Sequence, residues 1–176
     1  MSLTLLRLWQ ASRQLVGASV SRKPKRRSRR ARRPRDFQRG RVYRWEQEHV
    51  FPHAGEPLSL AACRALIERA YRWREAPGDD PAWSPPRVTD GRGRRHACGS
   101  REVIKLPRWA RTAAIVLHEC AHGMADDQHG PMFVSAYVAL LEEFAGLDGT
   151  GLHASLAEAG VAVAAPPSSG SFRAAS

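Results

Sequence analysis

The chain has 176 residues, a formal net charge of +11 and 43% hydrophobic residues, a length that suffices for one domain with a core and flanking segments. It contains no run of the roughly 18 apolar residues that a membrane span needs. Its three widely spaced cysteines predict neither a disulfide framework nor a CxxC-type structural zinc site. These features argue against a membrane protein and a disulfide-rich secreted protein, and we expect a cytoplasmic location.

The positive charge is concentrated at the N-terminus. Residues 1–35 hold 12 of the 28 Lys and Arg residues and none of the 17 Asp and Glu residues, so the rest holds 16 basic and 17 acidic residues. We predict a disordered basic arm over 1–35, a folded domain over 36–148 and a low-complexity tail over 149–176. The segment 22–35 has two interpretations: it binds the phosphates of a nucleic acid, or it is a solvated leader without a specific partner.

Two helices are predicted in the first half of the folded region. Asp36 is a candidate cap for a short helix from Phe37 to about Glu48. Ser59 is a candidate cap for a second helix, in which apolar residues recur at helical spacing from Leu60 to about Arg74.

Extended segments and two further helices follow. "RVTD" and "RRHAC" flank a glycine-containing turn, and "EVIKLP" predicts another strand. A buried helix is expected from about Arg108 to Gly123 or Ala125, and a last helix starts at Pro131. The predicted fold class is α+β: a short antiparallel sheet packed on the helix that contains "HECAH", with flanking helices.

The stretch "HECAH" predicts a metal site. On a helix, His118 and His122 lie one turn apart on the same face, so both imidazoles can bind one ion. Glu119 lies about 100° round the helix and can act as general base on a metal-bound water. Two neutral imidazoles beside an open position favour Zn²⁺.

A catalytic zinc site needs a third protein ligand. The candidates are His129, Asp126, Asp127, Glu142 and Glu143. We favour His129, which directly precedes a Gly-Pro step at the start of the last helix. The two aspartates can instead orient a ligand histidine, solvate the loop or cap a helix.

These motifs resemble those of a known family. "HECAH" followed by "HGPMF" is similar to the SprT-like zincin metalloproteases, and a bacterial family of metallohydrolases without a defined substrate resembles the chain over about residues 35–145, including "RDFQRGRVYRWE" and "IKLPRWAR". The resemblance implies a small zincin-like domain, zinc ligation by His118, His122 and His129, and Glu119 as catalytic base. SprT-like relatives act near DNA, often through an additional zinc- or DNA-binding module, and this chain has no such cysteine-rich module.

The function predicted is zinc-dependent hydrolysis of a peptide or protein substrate. Tyr137, His96 and His153 are candidate donors to the developing oxyanion, although Tyr137 also fits a core position. "EVIKLP" could offer its edge to an extended peptide. The alternatives are a DNA- or protein-binding module with a structural or vestigial zinc site, and a metal hydrolase that acts on a non-peptide substrate.

Overall fold

The computed structural model describes residues 36–74 and 83–165, and the predicted arm 1–35 and residues 166–176 lie outside this part of the chain. Over the described residues the fold is α+β, with helices packed around a short sheet. The α-helices are α1 (Arg39–Trp45), α2 (Leu60–Trp73), α3 (Ala113–Met124), α4 (Pro131–Ala145) and α5 (Gly149–Glu158), and the strands are β1 (Arg87–Thr89) and β2 (Val103–Lys105). No helix in these ranges is both long and apolar enough to cross a bilayer.

The first helix is longer than α1 alone, because a π-helical turn, Glu46–Val50, continues it. The helical pattern predicts Phe37, Val42 and Trp45 as inward-facing residues: Val42 and Trp45 are fully buried, whereas Phe37 is 62% exposed, so that part of the prediction is wrong. The prediction that Asp36 caps this helix is wrong. The cap position is Gln38, without a side-chain cap bond, and Asp36 contacts a histidine instead. The cap of α2 is confirmed, since the Ser59 hydroxyl accepts from the Ala62 backbone N–H at 3.0 Å.

The sheet differs from the prediction. β1 and β2 are parallel, with Val88 opposite Ile104, so the predicted antiparallel sheet is wrong. The only antiparallel element in the described ranges is an isolated bridge between Cys98 and Lys105. β2 therefore has the segment around Cys98 on one edge and β1 on the other. The prediction that "EVIKLP" offers a free edge to a peptide is wrong, because β2 is a middle strand.

The core lies between α3 and α4, with α2 against α3. α3 is buried over most of its length and α4 begins at Pro131, as predicted. The predicted start of α3 is too early, since a 3-10 turn, Arg108–Ala110, precedes the helix. Both helices contribute large side chains without solvent exposure: Leu117, Phe133, Tyr137, Leu140 and Leu141. This packing supports the histidines on its solvent side.

The tail predicted over 149–176 is wrong for its first part. The Asp148 side chain caps α5 by accepting from the backbone N–H groups of Thr150 and Gly151. Leu152 and Leu156 of α5 are buried in the core, and the Trp45 indole donates to Ser155 at 2.9 Å. The folded body therefore extends beyond residue 148 to at least the end of α5.

A tight contact joins the sheet region to α3. A Cβ added at Gly99 would overlap the backbone carbonyl oxygen of Glu119, whereas one added at Gly40 meets nothing within 4 Å. We expect Gly99→Ala to lower the free energy of unfolding by about 1–3 kcal/mol, since a backbone must shift. Gly40→Ala, the matched control, should raise it by up to about 1 kcal/mol, because alanine favours the helix. Urea denaturation measures both, and equal stability of Gly99→Ala and wild type would contradict the contact.

Candidate metal centre

Three histidines converge at the C-terminal half of α3. His118 and His122 lie one turn apart on this helix, and His129 comes from the loop before α4. One ring nitrogen from each side chain lies within 4.8 Å of the other two. Phe133 lies beneath the cluster, with its ring centroid 4.5 to 5.0 Å from each imidazole centroid. The three side chains can therefore hold one metal ion over an apolar floor.

Two carboxylates from the first helical segment orient two of these rings. Glu46 Oε1 lies 2.7 Å from His118 Nδ1, and Asp36 Oδ2 lies 2.9 Å from His129 Nδ1. A carboxylate that accepts the Nδ1–H of a neutral imidazole leaves its Nε2 with a free lone pair, the arrangement typical of metal-binding histidines. His129 Nε2 is buried and has no hydrogen-bond partner among the described residues. The donor set therefore fits a metal ion.

The protonation of the cluster supports the same fit. Burial and the neighbouring His118 and His129 lower the pKa of His122 to about 3. Burial also lowers the pKa of His129, against the opposing effect of the hydrogen bond that His129 donates to Asp36. For His118, burial is outweighed by the charge and hydrogen bond of Glu46, which raise its pKa. Two of the three imidazoles are thus held neutral, which is the form that binds a metal.

Glu119 lies beside the cluster without belonging to it. Its side chain is only 7% exposed, and its carboxylate is not one of the converging donor atoms. Burial raises the pKa of Glu119, while His118 and the backbone N–H of Gly99 pull the pKa down. A carboxylate with a raised pKa next to a metal site is suited to accept and return a proton.

The loop that supplies His129 is held on both sides. Gln38 is 1% exposed, and its side-chain amide donates to the backbone carbonyl of His129 at 2.8 Å. Asp127 accepts from the backbone N–H groups of Met132 and Phe133 at the start of α4. Gln128 has a φ of 61°, the left-handed region that side chains other than glycine rarely adopt. The turn back to His129 thus depends on a strained residue between two anchors.

The other candidates for the third ligand lie elsewhere. Asp127 accepts from backbone N–H groups in the first turn of α4, and Asp126, Glu142 and Glu143 are exposed. The three-histidine group, as favoured from the sequence, is the one that the fold brings together.

A cleft of about 400 Å³ opens beside Glu119 and His118. His96 lines this cleft, so one of the predicted oxyanion donors lies near the cluster. The Tyr137 hydroxyl is buried and donates to the Ala114 carbonyl at 3.2 Å, which confirms a core role. His153 is exposed on α5 and does not line the cleft.

Sequence reasoning missed three side chains of this region. Glu46 and Asp36 contact the rings of His118 and His129, and Tyr43 lies with its ring centroid 4.9 Å from that of His129. A signal for Glu46 exists, because it follows Trp45 on the inward face of the helix, and a carboxylate in an apolar stripe needs a buried partner. Asp36 has no comparable local signal.

No model of a protein family, no curated protein and no solved structure matches this chain. The resemblance to SprT-like proteases therefore stays a prediction from the motifs.

The role of Glu46 can be tested by a conservative change. Glu46→Gln keeps the size of the side chain and an acceptor for His118 Nδ1–H, but it removes the negative charge that makes the imidazole more basic. We expect the affinity for a divalent metal to fall about 10- to 100-fold. Glu48→Gln, on the same turn but exposed, is the control. Competition titration with a chromophoric chelator gives both affinities. An unchanged affinity for Glu46→Gln would show that the negative charge of Glu46 does not strengthen metal binding.

Proposed function

We propose that the protein is a zinc-dependent metallohydrolase that cleaves peptide bonds. The observation that carries this proposal is the position of Glu119: a buried carboxylate beside three converging imidazoles, at the wall of an open cleft. Structural zinc sites usually use four protein ligands and have no need of an adjacent base. Three histidines with an adjacent carboxylate are typical of a catalytic site.

The assignment to a SprT-like, zincin-type family is part of this proposal. It is supported by the spacing of "HECAH" and "HGPMF", by the location of the histidine pair on one helix, and by the packing of the segment around Gly99 against that helix. The parallel pairing of β1 and β2 departs from the antiparallel sheet that the resemblance implies.

In the proposed reaction, His118, His122 and His129 hold the zinc ion. Bound Zn²⁺ supplies a Lewis acid that makes water more acidic and polarises a carbonyl group. Glu119 takes a proton from the attacking water and returns it to the leaving amine, while Glu46 and Asp36 keep the imidazoles in the ligating tautomer. His96 and Tyr43, which both line the cleft, are the proposed donors to the oxyanion.

Removing the metal tests the proposal. Purified protein should contain about one zinc ion per chain and should cleave unfolded casein. A chelator should abolish cleavage and lower the melting temperature by several degrees, since a ligand at about a thousand times its Kd adds roughly 4 kcal/mol. Added Zn²⁺ should restore both properties, and Mg²⁺, the control ion, should restore neither, because it prefers oxygen ligands.

Two outcomes would contradict different parts of the proposal. Protein that takes up no zinc would refute the metal centre. Protein that binds zinc stoichiometrically but cleaves neither casein nor a varied peptide mixture would refute the peptidase and leave a binding module or a hydrolase of another substrate class.

A further inference from the structure

The cleft beside Glu119 has a wall of unusual composition. Five of its ten lining residues carry apolar or aromatic side chains: Tyr43, Phe51, Ala97, Trp109 and Ile115. His118 and Glu119 line the same cleft. The apolar wall and the catalytic groups therefore share one cleft, and a molecule bound there against Glu119 lies beside the wall.

Trp109 is held in an exposed position at this wall. It is 60% exposed, although its neighbours Pro107 and Ala110 are buried. The Ala110 backbone N–H donates to the Pro107 carbonyl at 2.9 Å, and Arg111 Nε donates to the Leu106 carbonyl at 3.1 Å. A large indole fixed outward by a short, anchored turn contributes nothing to the core, and such side chains are typical anchors for a binding partner.

The charges of the lining restrict what can occupy the cleft. Within the described part of the chain it is lined by two carboxylates, Glu46 and Glu119, and by no lysine or arginine. An acidic side chain held against this wall would meet these carboxylates and no lysine or arginine, whereas an apolar side chain would bury its surface against the apolar residues of the wall. The volume of about 400 Å³ lies within the range of ligand pockets and accommodates a bulky side chain with its adjoining backbone.

We propose that this cleft is the specificity pocket of the enzyme and that it selects substrates with a large apolar or aromatic side chain next to the cleaved peptide bond. The proposal rests on the proposed function. Trp109, Phe51 and Ile115 determine the preference, and Ala97 sets the depth of the pocket because its side chain is the smallest in the wall.

A set of peptides that differ at one position tests this preference. Cleavage sites are first mapped by mass spectrometry on zinc-loaded wild-type protein with unfolded casein, and then kcat/KM is measured for peptides with Phe, Leu, Gly, Lys or Asp beside the mapped bond. We expect Phe and Leu to exceed Gly by at least about tenfold, and Asp to be the poorest. Equal rates for Phe and Gly, or a preference for Lys or Asp, would overturn the proposal.

Two variants connect the preference to the wall. Trp109→Ala should lower kcat/KM for the Phe peptide roughly tenfold and leave the Gly peptide nearly unchanged. Met132→Ala, an equally exposed apolar residue that does not line the cleft, is the control and should change neither. Ala97→Phe should reverse the order, so that the Gly peptide becomes better than the Phe peptide. A uniform loss with both peptides in Trp109→Ala, or an unchanged order in Ala97→Phe, would contradict the assignment.

A binding experiment separates the two proposals. Zinc-loaded Glu119→Gln protein is titrated with the Phe peptide and the Asp peptide, and Kd is measured by fluorescence anisotropy. If wild-type protein cleaves no peptide, the peptidase proposal fails, and tighter binding of the Phe peptide still supports the pocket. If peptides are cleaved but bind without preference, the pocket proposal fails and the peptidase proposal stands.

Discussion

Glu119→Gln protein should bind zinc as tightly as wild type yet hydrolyse peptides about a hundred to ten thousand times more slowly. Glutamine keeps the volume of the buried side chain and its oxygen can still accept from the Gly99 backbone N–H. It has no carboxylate to take a proton from water. Because Glu119 is not one of the converging donor atoms, the metal site should be unaffected.

The measurement compares zinc content and kcat for the variant and for Glu143→Gln. Glu143 lies on α4, is exposed and was a ligand candidate, so its variant should match wild type in both properties. A Glu119→Gln protein with wild-type kcat would show that another group accepts the proton. One that lost zinc would show that Glu119 is a ligand.

His129→Ala protein should lose zinc altogether at micromolar concentration. The side chain is 4% exposed, and its Nε2 is buried without a hydrogen-bond partner among the described residues. Its loss removes one of three ligands and leaves the Asp36 carboxylate without the ring that it orients. Since the loss of an outer carboxylate already costs about 10- to 100-fold in affinity, the loss of a ligand should exceed that range.

Zinc titration followed by thermal unfolding tests this variant. Wild-type protein should melt several degrees higher with zinc, and His129→Ala should melt at the same temperature with and without it. His153→Ala, which changes an exposed histidine on α5, should retain the wild-type shift. Retention of the shift by His129→Ala would mean that a different residue completes the site.

The cluster of three histidines could be predicted from the sequence because its geometry is local. His118 and His122 are one helical turn apart, and a six-residue connection, 123–128, leads to His129, which directly precedes a Gly-Pro step. The carboxylates that orient them could not be predicted in the same way. Glu46 is 72 residues from His118, and Asp36 is 93 residues from His129, so both pairs form only through tertiary packing.

The errors in the fold have similar causes. Gly91 and Gly93, which both have positive φ angles, indicate a turn after β1, but they do not indicate which strand pairs with β1. Pairing of β1 with β2 skips the "RRHAC" segment, which a reading of adjacent strands as hairpins does not anticipate. α5 was not predicted because its Gly- and Ala-rich composition is typical of a low-complexity tail. The Asp148 cap and the four-residue spacing of Leu152 and Leu156 are the signals that could have found it.

The first helical segment, residues 36–50, contributes Asp36, Gln38, Tyr43 and Glu46 to the surroundings of the histidines, although it contributes no ligand. Docking of this segment and occupancy of the metal site are therefore coupled equilibria. Coupling of this kind is reciprocal. If the docked segment makes metal binding more favourable by a certain free energy, the bound metal makes local opening of the segment less favourable by the same amount. The bound metal would thereby stabilise the docked position of the N-terminal end of the domain. Apo and loaded protein would then differ most in the mobility of a helix that never touches the ion.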